Sequence, residues 1–227
     1  MPSTPSPAPI VPPLKPGDRL SRAEFEQRYE AMLNIKKAEL IEGVVYMPSP
    51  VRLHRHANPH GNLVAWVVTY AAYTPHVISA DNATARLDLD NEPQPDAMLL
   101  IDPAHGGQAN ISADDYIENA PELVAEVSGS TVSFDMHTKM NVYRRNGVRE
   151  YIVWRVLDKD LDWFVLRAGQ FAPLASDPAG LLKSETFPGL WLDKAALLAG
   201  DMPRVLAVLQ QGLASPEHAA FVSTHPK

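Results

Sequence analysis

The chain has 227 residues, with 20 Lys and Arg against 27 Asp and Glu, a formal charge of -7 and 45% hydrophobic residues. At ~100 to 200 residues per domain this suits one substantial core, and the acidic balance argues against a polybasic protein whose binding rests on neutralising phosphates. There is no cysteine, which excludes disulfide frameworks, thiolate zinc sites, iron-sulfur clusters and cysteine nucleophiles together, and permits a reducing compartment.

The first sixteen residues hold seven of the 21 prolines. Proline fixes φ and removes a backbone donor, so residues 1–19 are expected to form a disordered, polyproline-like tail. They lack the basic stretch followed by an apolar run of a signal peptide, and no segment approaches the ~18 apolar residues of a membrane span, so a cytoplasmic protein with no membrane partner is expected. Ser21 and Glu24 have capping-box spacing before Phe25, Tyr29 and Leu33, which predicts a helix from about Arg22 to Leu33. Residues 38–47 read as two strands bent at Gly43. Leu63, Trp66, Val67 and Tyr70 recur at helical spacing, predicting a helix that starts near Pro59 and ends before Pro75.

Apolar runs then predict strands over 96–101, 123–127, 151–156 and 162–166, with a helix over 135–146 closed by Gly147. Strand, helix, strand at that length is a crossover unit, so the sheet should be parallel or mixed. Leu197, Leu198, Val205, Leu206 and Leu209 predict one or two short helices packed on the body or on a second subunit. Residues 214–227, small and polar, are expected to fray. The domain is thus placed at 20–213, an α/β (α+β) unit.

Charges that interrupt the apolar patterns carry the chemistry. Glu126 lies inside LVAEV, where an ionised carboxylate costs several kcal/mol unless it is compensated. Lys139 falls within the inward stripe of its helix beside Met136, Met140 and Tyr143, whereas Arg144 and Arg145 point outward. Asp96 opens the PDAMLLI strand, its entry held extended by Pro93 and Pro95. Two carboxylates on neighbouring strands plus a lysine can hold a hard divalent cation and position a water for attack on phosphorus. Charge is also segregated: residues 81–126 carry 11 acids and one base, and residues 135–155 five bases and two acids. A local basic surface is therefore expected next to Lys139.

The motifs AELIEGVVYMPSP (38–50), QPDAMLLI (94–101), PELVAEVSGST (121–131), the spaced Asp135 and Lys139, YRRNGVREYIV (143–153) and FPGLWLD (187–193), taken in this order, resemble the Uma-two family of restriction-endonuclease-like proteins within the PD-(D/E)XK nuclease superfamily. The resemblance runs from about Leu20 to Leu198. It implies a restriction endonuclease-like mixed central sheet flanked by helices, acting as a metal-dependent endonuclease on DNA. Asp96 and Glu126, with the backbone carbonyl of Val127, would hold Mg2+ or Mn2+; Lys139 would orient or activate the hydrolytic water, and Glu39 matches a further catalytic glutamate from an early element. Glu42 is close in sequence, but strand alternation sends it to the other face. Arg144, Arg145 and Arg149 are candidates for holding the nucleic-acid backbone. Double-strand cleavage by one site per chain implies a homodimer, with the C-terminal apolar segment as its interface. The chain departs from the pattern at Ser128, where the superfamily usually has lysine, at Gly129, where proline is common, and over Ile152 to Arg155.

Two other readings compete. One is a catalytically silent assembly module, with Trp154 and Trp191 marking a protein interface. The other is a histidine-based metal hydrolase using His54, His56 and His60, whose H-x-H-x3-H spacing suits zinc although Pro59 interrupts a helix-borne triad; His54 or His56 could instead line a nuclease cleft.

Overall fold

A computed structural model describes residues 11–35, 37–47 and 52–224 of the chain. Helix α1 (Arg22–Glu30) is capped by Ser21, whose hydroxyl accepts from the Glu24 amide. A tight turn at Glu42 and Gly43, both at positive φ, joins strands β1 (Glu39–Ile41) and β2 (Val44–Tyr46). A π-helical turn over Leu53–Ala57 runs into α2 (Asn58–Tyr73). After β3 (Val77–Ala80) and β4 (Ala85–Arg86) come β5 (Ala97–Ile101), β6 (Asn110–Ile111), β7 (Ile117–Glu118) and β8 (Leu123–Ser128). A second π-helical stretch, Phe134–Lys139, leads into α3 (Met140–Arg145), which Gly147 at φ 85° brings to an end. Then follow β9 (Glu150–Arg155), β10 (Asp160–Arg167), β11 (Gln170–Pro173), β12 (Leu181–Lys183), β13 (Trp191–Asp193), α4 (Lys194–Ala199), α5 (Met202–Leu213) and α6 (Pro216–Thr224).

The central six-stranded sheet has the order β11-β10-β9-β8-β5-β3. Its one parallel pair is β8 with β9, joined by the crossover through α3, so the sheet is mixed as expected. Both faces are covered, and strand alternation divides the side chains between them. Leu99, Ala125, Ile152, Trp154 and Trp163 pack under α2, where Trp66 and Tyr70 are fully buried. Each such aromatic stabilises the fold by roughly 2 to 3 kcal/mol. Met98, Leu100, Val124, Tyr151 and Val153 face the other way, onto Val142 and Tyr143 of α3. The Trp66 indole donates to the Trp191 carbonyl and the Tyr70 hydroxyl to that of Pro188, tying the C-terminal segment to α2.

Several expectations need correction at the edges. Residues 11–19 are not loose: Leu14 is buried against Phe25 and Leu40, and Asp18 and Arg19 pair with β2. Prolines do not prevent a segment from lying along a hairpin edge that offers it partners. Residues 1–10 lie outside the described residues. The expected fraying from Ala214 gives way to α6, whose buried His218 bonds Thr74 and the Leu213 carbonyl, a tertiary anchor that a small, polar local sequence conceals. The apolar face of α5, with Val205 and Leu209 buried, is used within the chain rather than left for a second subunit. Trp154 is core, and the Trp191 ring lies under the Lys183 ammonium, so neither marks an open interface. Among the described residues, no helix is long and apolar enough to cross a membrane.

Candidate active site

Alternation sends Asp96 and Glu126 to the face that carries α3. Strands β5 and β8 pair with Ala97 opposite Ala125 and Met98 opposite Val124. One further step of that register sets Asp96 opposite Glu126, at the range where side chains on neighbouring strands meet. The Val127 amide donates to Asp96 Oδ2 at 2.7 Å, locking the aspartate onto the neighbouring strand. His56 Nε2 lies 3.3 Å from the same oxygen, and Lys37 Nζ lies 3.8 Å from Oδ1. His60 Nε2 is 3.0 Å from the Asp96 carbonyl and holds the strand entry. Burial alone would raise the Asp96 pKa, but His56, Lys37 and the Val127 amide bring it down to about 2.

Glu126 Oε1 accepts from Lys139 Nζ at 2.9 Å and from the Tyr143 hydroxyl at 2.7 Å. Lys139 also donates to Glu39 Oε1 at 2.9 Å, and that oxygen takes the Gln94 amide at 2.7 Å. Glu39 reaches this point because β1 docks beside Glu92 through a two-way backbone pair at Leu40. Asp135 is buried nearby, its carboxylate accepting from Thr131 Oγ1 at 2.6 Å. Burial works against the Lys139 charge, but Glu126, Glu39 and Asp135 outweigh it and hold the ammonium well above its ordinary range. Lys139 is therefore a fixed cation, suited to orienting a water or neutralising developing charge and unsuited to taking a proton. Burial pushes the Glu126 carboxyl up to about 8; Lys139 opposes the rise and Asp96, Asp135 and Glu39 add to it. Three carboxylates, Glu126, Glu39 and Asp135, thus act on one buried ammonium, while Asp96 beside them is met by His56 and Lys37.

The structure therefore brings together Asp96, Glu126, Lys139 and Glu39. It sets Glu42 apart, in the turn, paired with Arg145. The arginines do not gather there. Arg145 binds Glu42 at 2.6 Å and approaches Asp88, Arg144 donates to the Gly169 carbonyl, and Arg149 donates to Gln108. Arg149 precedes Glu150, which pairs with Leu123, so it lies about 13 Å along the sheet from Glu126. Arg155 is enclosed by Asp158, Asp160 and Asp162. Of the five bases expected to form a basic surface over 135–155, Lys139, Arg145 and Arg155 are thus engaged in ion pairs, and Arg144 and Arg149 in hydrogen bonds to neutral acceptors.

Cations from elsewhere line the site instead. Lys37 shares a strand face with Glu39 by alternation, a signal present in the sequence. His56 and His60 are four residues apart on one helical side, with ring centroids 5.6 Å apart. The carbonyl of exposed Arg55 packs beside Gly129, where a Cβ would come within 3.1 Å of it. A side chain at this position would press on that carbonyl. The inward stripe of the crossover helix is Asp135, Lys139 and Tyr143, with Met136 and Met140 only half-buried. Asp135, Lys139, Val142 and Tyr143 keep ordinary helical spacing, so the buried face is centred on Lys139 rather than on Met136 and Met140. Asp135 and Tyr143, which are not among the expected site residues, stand four residues before and after Lys139, a helical spacing present in the sequence that puts both on its face.

Among the described residues, only His76, Asp102 and His105 form a set of three His, Asp or Glu side chains whose ligand atoms all lie within 4.8 Å of one another. His54, His56 and His60 do not converge, and His54 is exposed, which removes the histidine-triad reading. Asp96 and Glu126 also belong to no such set. A cation there would be shared by two carboxylates, with the Val127 carbonyl and solvent completing its shell.

The mixed sheet with carboxylates at the meeting of β5 and β8 defines a nuclease-like fold of the restriction endonuclease type. A solved structure described as a "putative nuclease belonging to DUF820", from Anabaena variabilis ATCC 29413, superposes with a TM-score of 0.54 at 11% identity, covering 81% of this chain and 97% of that one. That likeness concerns the fold alone. The Uma2 family model, described as "Putative restriction endonuclease", matches residues 22–195, and the chain belongs to this family. No match was found among curated proteins.

Proposed function

We propose that this chain is a metal-dependent endonuclease that hydrolyses phosphodiester bonds of DNA, working in the cytoplasm as a homodimer. The observation that carries the reading is the buried Glu39–Lys139–Glu126 bridge set against Asp96 at the entry to the adjacent strand. The donor set consists of hard oxygens with an unmet need for positive charge, which fits Mg2+ or Mn2+ held by Asp96, Glu126 and the Val127 carbonyl. When bound, such an ion supplies Lewis-acid polarisation of the scissile phosphate.

The chain's own residues do the rest. Val127 and His56 hold Asp96, and Tyr143 and Lys139 hold Glu126, so both carboxylates are oriented before any ion arrives. Lys139, kept charged, sits where it can hold the attacking water and offset charge on the pentavalent phosphorus. Lys37 and His56 at the mouth can meet a phosphate oxygen. Arg144, Arg145 and Arg149 are assigned to backbone contacts further out, with Arg145 leaving Glu42 to make one.

Purified protein, supercoiled plasmid and Mg2+ or Mn2+ test the reading. Nicking or linearisation is expected, with loss in Glu126→Ala and Lys139→Ala; cleavage surviving both changes would remove these residues from the chemistry. Calorimetry separates the competing assembly-module reading, which requires that Asp96→Asn leave Mg2+ binding unchanged or that none occur.

A further inference from the structure

A second constellation sits at the far end of β5, where neither the family pattern nor the spacing of residues in the sequence draws attention. His76 directly precedes β3 and Asp102 directly follows β5. The two are joined by the Asp102 amide, which donates to the His76 carbonyl at 2.8 Å. A short 3-10 turn, Pro103–His105, then carries His105 back over His76, and the two imidazoles stack with centroids 3.4 Å apart and planes 21° from parallel. One ligand atom from each of His76, Asp102 and His105 lies within 4.8 Å of the others, and all three residues are half-buried.

The backbone is committed to this arrangement. His76 is held at φ 60°, which a residue other than glycine takes at a cost. Gly107 folds back so tightly that a Cβ there would come 1.9 Å from the Ile101 carbonyl oxygen. Asp102 is positioned through its other oxygen, Oδ1, which accepts from the Ala104 amide at 2.9 Å. Its Oδ2 faces His105 Nδ1 at 3.5 Å, an ion-pair distance when that ring is protonated. Apart from this carboxylate, that buried nitrogen has no hydrogen-bond partner among the described residues.

We propose that His76, Asp102 and His105 form a binding site for a zinc-class transition ion, with solvent as the fourth ligand. Two imidazoles and one carboxylate are borderline donors in a set that suits Zn2+, Ni2+ or Cu2+, whereas Mg2+ favours an all-oxygen shell. A ligated ion would give the buried His105 nitrogen a stronger partner than the Asp102 oxygen 3.5 Å away. Six strand steps, about 20 Å, separate Asp102 from Asp96, so this ion is not the one assigned to the carboxylate site. Its place suits a clip between the start of edge strand β3 and the loop after β5. The inference does not depend on the nuclease reading.

The test titrates Zn2+ calorimetrically into the full-length protein and into His76→Asn, His105→Ala and Glu126→Gln, and follows the thermal midpoint of each with and without Zn2+. Asparagine tolerates positive φ, so His76→Asn removes the ligand without adding backbone strain. The expected result is one Zn2+ per chain in the wild type and in Glu126→Gln, insensitive to a large excess of Mg2+, with the midpoint rising on Zn2+ addition. Affinity should fall by more than about a hundredfold in both histidine variants, since even indirect changes around a metal cost ten- to a hundredfold. The metal-free midpoint of His76→Asn should match that of the wild type, which separates ligand loss from misfolding. Absence of Zn2+ binding to the wild type, binding retained in His76→Asn, or binding lost in Glu126→Gln alone would overturn the proposal.

Discussion

Glu126 and Glu150 stand on adjacent strands and are both sealed from solvent, yet the chain treats them in opposite ways. Glu150 points to the α2 face and is met by neutral donors: the Trp163 indole, the Ser184 hydroxyl and the amides of Glu185 and Thr186, all within 2.9 Å. Burial raises its pKa, and the bonds from Thr186, Ser184 and Trp163 restrain the rise. Its lone pairs are spoken for, and it fastens the 184–187 turn to the sheet. Glu126 points to the α3 face and is met by an ammonium and a phenol on one oxygen, with three further carboxylates close enough to raise its pKa. A buried carboxylate by itself therefore says little about function. A surplus of neutral donors marks a structural staple, and a shortage of positive charge marks a place where an ion belongs.

The sharpest test exchanges the expected consequences. Lys139→Ala should lower metal-dependent cleavage by about a thousandfold or more, comparable with loss of a preorganised charge stabiliser. Glu150→Ala should leave the cleavage rate of the folded protein within a few-fold of wild type while lowering unfolding free energy by about 3 kcal/mol, because it strands buried donors. Plasmid cleavage and urea denaturation of both variants provide the measurement. A folded Glu150→Ala protein with no activity would break the distinction.

Glu92 is a third buried carboxylate, and it sharpens the contrast through pH. Burial and the neighbouring Glu26 carboxyl raise its pKa to about 8, against Arg86 and Arg22. Because the folded state holds this proton more tightly than the unfolded state, stability from Glu92 is complete below about pH 4.5 and is lost as pH rises through about 8. Glu92→Gln should therefore flatten the decline in stability between pH 5 and pH 8, by on the order of 1 to 3 kcal/mol at the alkaline end. Denaturation midpoints across that range check it, and a parallel decline in wild type and variant would remove Glu92 as its source.

Tyr143→Phe is the mildest change. It removes one donor from Glu126 Oε1 and leaves Lys139 in place, so a rate loss of about tenfold and a stability loss of about 1 kcal/mol are expected from steady-state cleavage and denaturation.

Much of this was legible in the residues. Apolar runs in LVAEV and DAMLLI predicted the strand that carries Glu126 and the one that Asp96 precedes, helical spacing turned Lys139 inward, and the family resemblance rather than the spacing pointed to Glu39. What escaped reading depends on tertiary contacts. The strand at Val77–Ala80 is half-exposed and lacks a clear apolar signal, and α6 is anchored by one buried histidine. His76, Asp102 and His105 converge across two strand ends. Of the arginines read as a basic surface, Arg145 has acidic partners from distant segments, Glu42 and Asp88, which no local charge count reveals.

Placing the lysine on the crossover helix rather than beside the glutamate on β8 separates two parts of the site that strand alternation would otherwise bind together. A residue inserted in β8 flips Glu126 to the opposite face and destroys the site, because a strand has no intermediate setting. A residue inserted between Gly129 and Ser133 moves the start of the Phe134–Lys139 turn and leaves both carboxylates untouched. The wide turn can absorb part of such a change by tightening toward ordinary α geometry. The depth and angle of the ammonium can thus drift through loop length alone, giving related chains a way to retune the site while the sheet stays constant.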